Sequence, residues 1–365
     1  MSGLRIIIAG GGTGGHIFPA VAIGHALQRL QPGTELLFVG ALGKMEMEKV
    51  PQEGFKIVGL DIVGFNRSSI IKNVSLPMKL LKSRRAARNI IKEFNPNAVV
   101  GVGGFASFPM LNAAQGMGIP TLIQEQNSFA GKSNKFLSKK AKAVCVAYEG
   151  MDKFFPADKI MITGNPVRKS ISGSVLTREQ GQAWLGMNAS KTTILVVGGS
   201  LGAKSVNEAV GANLQEILQG DVQLVWQTGK PYHEEALREA AMYKGKVKVV
   251  EFIREMEYAY AAADVVISRA GALAIAELCI AGKPVIFVPY PHAAEDHQTS
   301  NAMALVNNNA ALMIKDGDVK MELVKKLKTL LQDADMRNNM SQQLKAMAIK
   351  DADERIARKV MEIAV

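Results

Sequence analysis

The chain is short of cysteine, of aromatics and, in its first half, of acids, and each shortage excludes something. Its 365 residues hold two cysteines, Cys145 and Cys279, far apart and in apolar surroundings. A disulfide framework is thereby excluded, and buried free thiols of a reducing compartment are expected. Aromatics are 6% of the chain, and only Phe65, Phe94 and Phe136 lie near clusters of positive charge, too few to stack nucleic-acid bases. The N-terminus enters an apolar run, Leu4 to Ala9, without the charged region and small-residue cleavage site of an export signal. One uncharged stretch, Phe94 to Gln124, is broken by Pro96, Pro109, Pro120 and five glycines, which exclude a bilayer span.

What remains is an ordinary globular composition, 48% hydrophobic and 21% charged, long enough for two or three domains of about 150 residues. The net charge of +11 is uneven. Residues 1 to 165 carry 20 Lys and Arg against 10 Asp and Glu, and the remainder carries 24 against 23. A basic protein of this size points to nucleic acid, an anionic membrane surface or a phosphorylated substrate. No acid occurs from 62 to 92 or from 126 to 148. There Lys79, Lys82, Arg84, Arg85, Lys139 and Lys140, interleaved with apolar residues, suit contact with anionic lipid at about 1 kcal/mol per cation. The plain alternative is a helix with a solvated charged face.

Apolar runs alternate with amphipathic ones. Strands are expected at Leu4 to Ala9, Glu35 to Val39, Lys56 to Leu60, Ala98 to Val102, Thr121 to Gln124 and Ala143 to Ala147. A second series follows at Thr192 to Val197, Gln223 to Gln227, Val247 to Val250, Asp264 to Ser268, Pro284 to Val288 and Ala311 to Ile314. Such alternation reads as α/β, with parallel sheets covered on both faces. Gly11 to Gly15 follows the first strand of one series and Gly198 to Gly202 the first strand of the other. Two Rossmann-like domains are therefore expected, 1–163 and 164–347, with a helix near 348–365 able to pack back on the first.

Gly10 to Gly15 satisfies G-x-G-x-x-G after a strand, but the fingerprint's acid at the end of the second strand is missing: Leu37 to Ala41 closes without one, and Glu35 opens that strand. A dinucleotide is therefore disfavoured, and a phosphate cradle at a helix N-terminus remains. The second loop lacks the last P-loop glycine, since Ala203 stands there, and no later strand ends in an aspartate suited to magnesium. The pairs Asp316/Asp318, Asp333/Asp335 and Asp351/Asp353 sit where N-capping is the expected role. His292 and His297 lack H-E-x-x-H spacing, so no protein-held metal is expected. His16 opens the helix after the first loop, where the helix dipole keeps imidazole neutral and able to act as a base, the plain alternative being a structural histidine. Glu277 lies about a turn inside a helix that starts near Gly271, placed to accept from a ribose diol, unless it is an ordinary solvated glutamate.

Six segments, 11–20 (GGTGGHIFPA), 103–107 (GGFAS), 125–127 (EQN), 164–168 (GNPVR), 198–203 (GGSLGA) and 269–273 (RAGAL), occur in the order seen in the MurG family and span nearly the whole chain. The sequence resembles that family, the GT-B N-acetylglucosaminyltransferases of glycosyltransferase family 28 that convert lipid I to lipid II in bacterial peptidoglycan synthesis. The resemblance implies two Rossmann-like domains facing a cleft and an inverting transfer without cofactor or metal. Carried over by motif, Ser200 and Arg168 face the donor diphosphate, Phe252 and Ile253 the uracil and Glu277 the ribose. Ala272, Leu273 and Gln298 face the sugar, with Thr13, Gly14, Gly15 and Asn127 reaching it from the first domain. Gly103, Gly104 and Phe105 fall to the acceptor and His16 to the general base. His297 and Leu201 depart from the family pattern, where glutamine is common. Implied partners are UDP-N-acetylglucosamine, lipid I, the anionic inner leaflet and cell-wall synthesis proteins, with no nucleic acid. The implied location is peripheral, on the cytoplasmic face of the cell membrane. The rivals are a related GT-B glycolipid transferase, a dinucleotide oxidoreductase and a nucleic-acid-binding module.

Overall fold

A computed structural model describes residues 3–62, 76–199 and 201–365, with the side chains of 76–81 and 294 outside the description. In chain order the elements are β1 Arg5–Ala9, α1 Gly14–Leu30, β2 Glu35–Ala41, α2 Glu46–Gln52, β3 Ile57–Leu60, α3 Leu76–Phe94, β4 Ala98–Gly101, α4 Ser107–Gly116, β5 Thr121–Glu125, α5 Lys132–Ser138, β6 Ala143–Val146 and β7 Ile160–Ile162. There follow α6 Lys169–Ser172, α7 Arg178–Leu185, β8 Thr192–Val197, α8 Lys204–Ala212, α9 Leu214–Ile217, β9 Val222–Gln227, α10 His233–Ala240, β10 Val247–Val250 and α11 Met256–Ala262. The last are β11 Val265–Ser268, α12 Ala272–Ala281, β12 Val285–Phe287, α13 His297–Val306, β13 Leu312–Met313, α14 Val319–Gln332, α15 Ala334–Ala346 and α16 Ala352–Ile363. The chain divides into two compact units, Met1–Arg168 with Asp351–Val365, and Lys169–Lys350.

The first unit holds a seven-stranded sheet, order β3-β2-β1-β4-β5-β6-β7, and every pairing in it is parallel. Side chains alternate faces along a strand. Ile6 and Ile8 of β1 join a core with Ile17, Val21 and Leu27 of α1 and Ile356, Ala357 and Val360 of α16. Ile7 and Ala9 point the other way, against Ala87 and Ile91 of α3, Met110 and Leu111 of α4 and Leu137 of α5. Helix α16 is fixed to α1 by Arg29, whose Nη2 donates to Asp353 Oδ2 at 2.7 Å and lies 3.5 Å from Glu354. Strand β7 was not foreseen. It is three residues long and half-exposed, too short to show a period in sequence, but its pairing with β6 makes it the sheet edge.

The second unit holds a six-stranded parallel sheet, order β10-β9-β8-β11-β12-β13. Thr177 and Gln180 form a reciprocal capping box at the start of α7, and Gly282 ends α12 in the left-handed conformation at φ 61°. Of the three aspartate pairs, Asp333 caps α15 through Met336 N–H as expected. Asp316 does not cap and instead binds Arg269 and Ser205. Both cysteines are buried, and desolvation pushes their thiols up to about 12.

Candidate active site

In the first unit β1 lies between β2 and β4. Connections leave such a strand pair in opposite directions, which opens a crevice outside their carboxyl ends. The loop filling that end runs from Gly10 to Thr13, with Gly11 and Gly12 at φ 144° and 89°. Gly10 N–H donates to Val39 O at 3.0 Å and Gly11 N–H to Gly103 O at 3.2 Å. Gly12 N–H donates to Glu46 Oε2 at 2.7 Å. The turn after β4 closes against this loop: a Cβ on Gly104, itself at φ 84°, would lie 2.1 Å from Gly11 O. Only glycine permits that approach. Gly14 and Gly15 open α1, so their N–H groups have no helix carbonyl a turn earlier to bond.

His16 stands one turn into α1, its Nδ1 3.2 Å from Thr13 Oγ1. A Cβ on Gly103 would come within 2.8 Å of His16 Nε2 and Cδ2, so the ring edge carrying Nε2 lies over that glycine. In the tautomer whose Nδ1–H donates to Thr13, Nε2 is left as a proton acceptor. Phe105, 42% exposed, lies beside Gly12. Beyond β5 the buried Glu125 organises the next loop. Its Oε2 accepts from Asn134 Nδ2 at 2.8 Å and from Gly131 N–H at 3.3 Å, and its Oε1 accepts from Asn127 N–H at 3.2 Å. Burial raises the Glu125 carboxyl above its ordinary range, against the opposing pull of those hydrogen bonds. Gln124 donates to Asn165 and Asn165 to Gln126 O, both at 3.0 Å, which joins this loop to the segment leading to Arg168. The Arg168 guanidinium lies 4.9 Å from the centre of the Phe18 ring.

In the second unit β8 lies between β9 and β11 and repeats the arrangement. Gly198 N–H donates to Gln227 Oε1 at 3.0 Å, and Gln227 Nε2 donates to Gly199 O and Glu251 O, both at 2.9 Å. Ser200 lies outside the described residues. Gly202, at φ 76°, packs on Thr228 O so closely that a Cβ would sit 2.0 Å from it. Arg269 donates to Val288 O at 3.0 Å, Pro289 O at 3.2 Å and Ser205 Oγ at 3.0 Å, and pairs with Asp316. It thereby ties the first turn of α8 to the ends of β11 and β12. Gly271 precedes α12 in extended conformation, Ala272 is buried and Leu273 half-buried. Glu277 is 6% exposed and accepts from Tyr260 Oη at 2.9 Å, so it is not the solvated helix glutamate weighed as its alternative. Gln298 Oε1 accepts from Tyr290 N–H at 2.9 Å, and Ile253 is buried beside a half-exposed Phe252.

Glu46, Gln227 and Tyr260 were not foreseen, and Asp316, expected to cap a helix, serves Arg269 and Ser205 instead. Glu46 had a visible signal. It is an acid five residues past the end of β2, near where a fingerprint acid belongs, yet it holds the protein's own loop instead of a ribose. The basic segments meet at the end of α4. There Arg84 and Arg88 lie within 4 Å of a Cβ built on Gly116, and the neighbouring Gln115 donates to Leu137 O at 2.9 Å. Lys82, Arg84, Arg85, Lys139 and Lys140 are exposed, and the Lys79 side chain lies outside the described residues. Phe136, 55% exposed, sits 5.9 Å from Phe108. Among the described residues no helix is long and apolar enough to cross a membrane, and no group of three or more His, Cys, Asp or Glu could hold a metal ion.

Residues 6–146 match the glycosyltransferase family 28 N-terminal domain and residues 193–356 the family 28 C-terminal domain. The chain is 52% identical over 364 residues to the UDP-N-acetylglucosamine--N-acetylmuramyl-(pentapeptide) pyrophosphoryl-undecaprenol N-acetylglucosamine transferase of Phocaeicola vulgatus, covering 99% of this chain and 96% of that protein. It is 50% identical over 360 residues to the protein of the same name from Parabacteroides distasonis, covering 98% of each. The crystal structure of Acinetobacter baumannii MurG superposes with a TM-score of 0.79 at 31% identity, covering 99% of both chains. Glycine turns at the carboxyl ends of both sheets, a buried glutamate on α12 and near-full-length identity of about half lead to one assignment: the chain belongs to glycosyltransferase family 28.

Proposed function

We infer that this protein transfers N-acetylglucosamine from UDP-N-acetylglucosamine to the 4-hydroxyl of N-acetylmuramic acid in the pyrophosphoryl-undecaprenol-linked pentapeptide, with inversion at the anomeric carbon. The observation that carries the reading is the match along 98% of both chains, at 50% identity, to a transferase named for that reaction. The second unit takes the donor: the Gly198 to Ala203 turn and the α12 N-terminus serve the diphosphate and sugar, Glu277 the ribose and Ile253 the uracil edge. The first unit takes the acceptor at Gly103, Gly104 and Phe105. Thr13, Gly14, Gly15 and Asn127 serve the donor sugar, and Arg168 the leaving diphosphate.

The acceptor oxygen attacks the anomeric carbon as the bond from that carbon to the UDP oxygen breaks. The acceptor proton passes to His16 Nε2, and UDP leaves with its charge met by backbone N–H groups and Arg168. His16→Ala should lower kcat by about 10²-fold or more while the KM for the donor stays within about twofold. Unchanged turnover removes His16 from the role. Supplying lipid I against diacylglycerol separates this reading from a related glycolipid transferase. Preference for diacylglycerol overturns it.

The exposed cations on α3 and after α5, and the exposed Phe136 of α5, support peripheral binding to an anionic bilayer at the cytoplasmic face. Reversing Lys139, Lys140, Arg84 and Arg85 together should release the protein from phosphatidylglycerol vesicles and leave UDP affinity intact. Undiminished vesicle binding contradicts this placement.

A further inference from the structure

We propose that Glu46 is a positioning residue for the transfer, acting on His16 through the glycine loop; the proposal rests on His16 as the base. Glu46 opens α2 and is 1% exposed. Its two oxygens serve two different segments. Oε2 accepts from Gly12 N–H at 2.7 Å, and Oε1 accepts from Ala41 N–H, at the end of β2, at 2.9 Å. A carboxylate so placed joins the loop before α1 to the rigid sheet through two charge-assisted bonds, and the positive N-terminus of α2 favours its charge.

The space around it is cut to its shape. A Cβ on Gly40 would lie 2.4 Å from Glu46 Cγ, and one on Gly11 would lie 2.3 Å from Cδ. From Gly12 the path to the base is short. Thr13 follows in the chain, and its Oγ1 is 3.2 Å from His16 Nδ1. On the other side Gly11 N–H binds Gly103 O, and Gly103 is the residue against which His16 Nε2 lies. Glu46 therefore fixes both the residue whose hydroxyl contacts His16 Nδ1 and the glycine over which the Nε2 edge of the ring lies. It also occupies the Gly12 N–H that a pyrophosphate would take in a dinucleotide fold.

Glu46→Gln keeps the volume but turns one acceptor into an NH2 that faces an N–H. The expected result is a kcat lowered by about tenfold or more, with the KM for UDP-N-acetylglucosamine within about twofold and UDP affinity unchanged by calorimetry. The decisive readout is a double-mutant cycle: on a His16→Ala background the same substitution should lower the residual rate by less than about twofold, because the group it positions is gone. Equal loss on both backgrounds, or a single-variant kcat within about twofold of wild type, overturns the proposal. If Glu46→Gln does not fold, Gly40→Ala makes the same test, since its methyl displaces the carboxylate without changing charge. Wild-type protein that fails to transfer the sugar refutes the proposed function itself, whereas a silent Glu46→Gln in an active enzyme refutes only this role.

Discussion

Glu277 offers the sharpest quantitative test of the donor site. The side chain is buried on α12, its Oε2 held by Tyr260 Oη at 2.9 Å. A carboxylate accepting two hydroxyls of a ribose diol contributes about 1.5 kcal/mol per charge-assisted bond, so Glu277→Ala should cost about 3 kcal/mol of binding. That is roughly a hundredfold in Kd for UDP. Glu277→Gln keeps an acceptor for Tyr260 and one ribose bond, and should lose about tenfold. Tyr260→Phe leaves Glu277 in place but removes a donor from a buried carboxylate, worth about 2 kcal/mol of stability. In a unit of this size that lowers Tm by about 5 °C, with only a few-fold change in affinity. Calorimetric titration with UDP is the assay, because it needs no acceptor, and circular dichroism confirms that each variant is folded. If Glu277→Ala binds UDP within about twofold of wild type, the ribose assignment is wrong.

Two further outcomes follow from the buried charges. Arg29→Ala leaves Asp353 buried, with its side chain 4% exposed. Arg29 is itself 39% exposed, so the loss should be about 2 kcal/mol rather than the roughly 3–5 of a fully buried pair. Urea unfolding would register it, and a loss below about 0.5 kcal/mol would show that α16 is held by its apolar face alone. Glu125 has a folded pKa above its ordinary 4.5, so the folded state binds more protons than the unfolded one between the two values. Its contribution to stability is fully present below 4.5 and is lost as pH rises through the folded value. Glu125→Gln should flatten that part of the stability profile, as measured by denaturant unfolding from acid to neutral pH. An unchanged slope refutes the reasoning.

Much of the architecture was legible because parallel strands buried on both faces leave continuous apolar runs, as at Leu4 to Ala9 and Thr192 to Val197. The short edge strand β7 was not, since three half-exposed residues give no period. Boundaries shifted by a residue or so where the strand ladder ends sooner or later than the apolar run, as at Val102, Ala147 and Glu125. At the site, glycine turns after strands announced themselves, because only glycine allows Gly104 to meet Gly11 or Gly202 to meet Thr228. Of the polar residues that hold those turns, only Glu46 had a signal in sequence, its place just past β2. Glu46, Gln227 and Asp316 act across long separations, on Gly12, Gly198 and Arg269. Their type alone does not distinguish them from surface residues. Burial supplies the distinction, and burial depends on tertiary packing.

A transferase of this kind should release UDP from its sugar donor only when a lipid-linked muramoyl acceptor is present. UDP release from UDP-N-acetylglucosamine, followed with and without a lipid I analogue, tests it most directly. Acceptor-dependent release, matched one for one by a β-linked disaccharide product, is the expected result. Release of equal rate without acceptor, or no release with it, would rule out transfer to that acceptor.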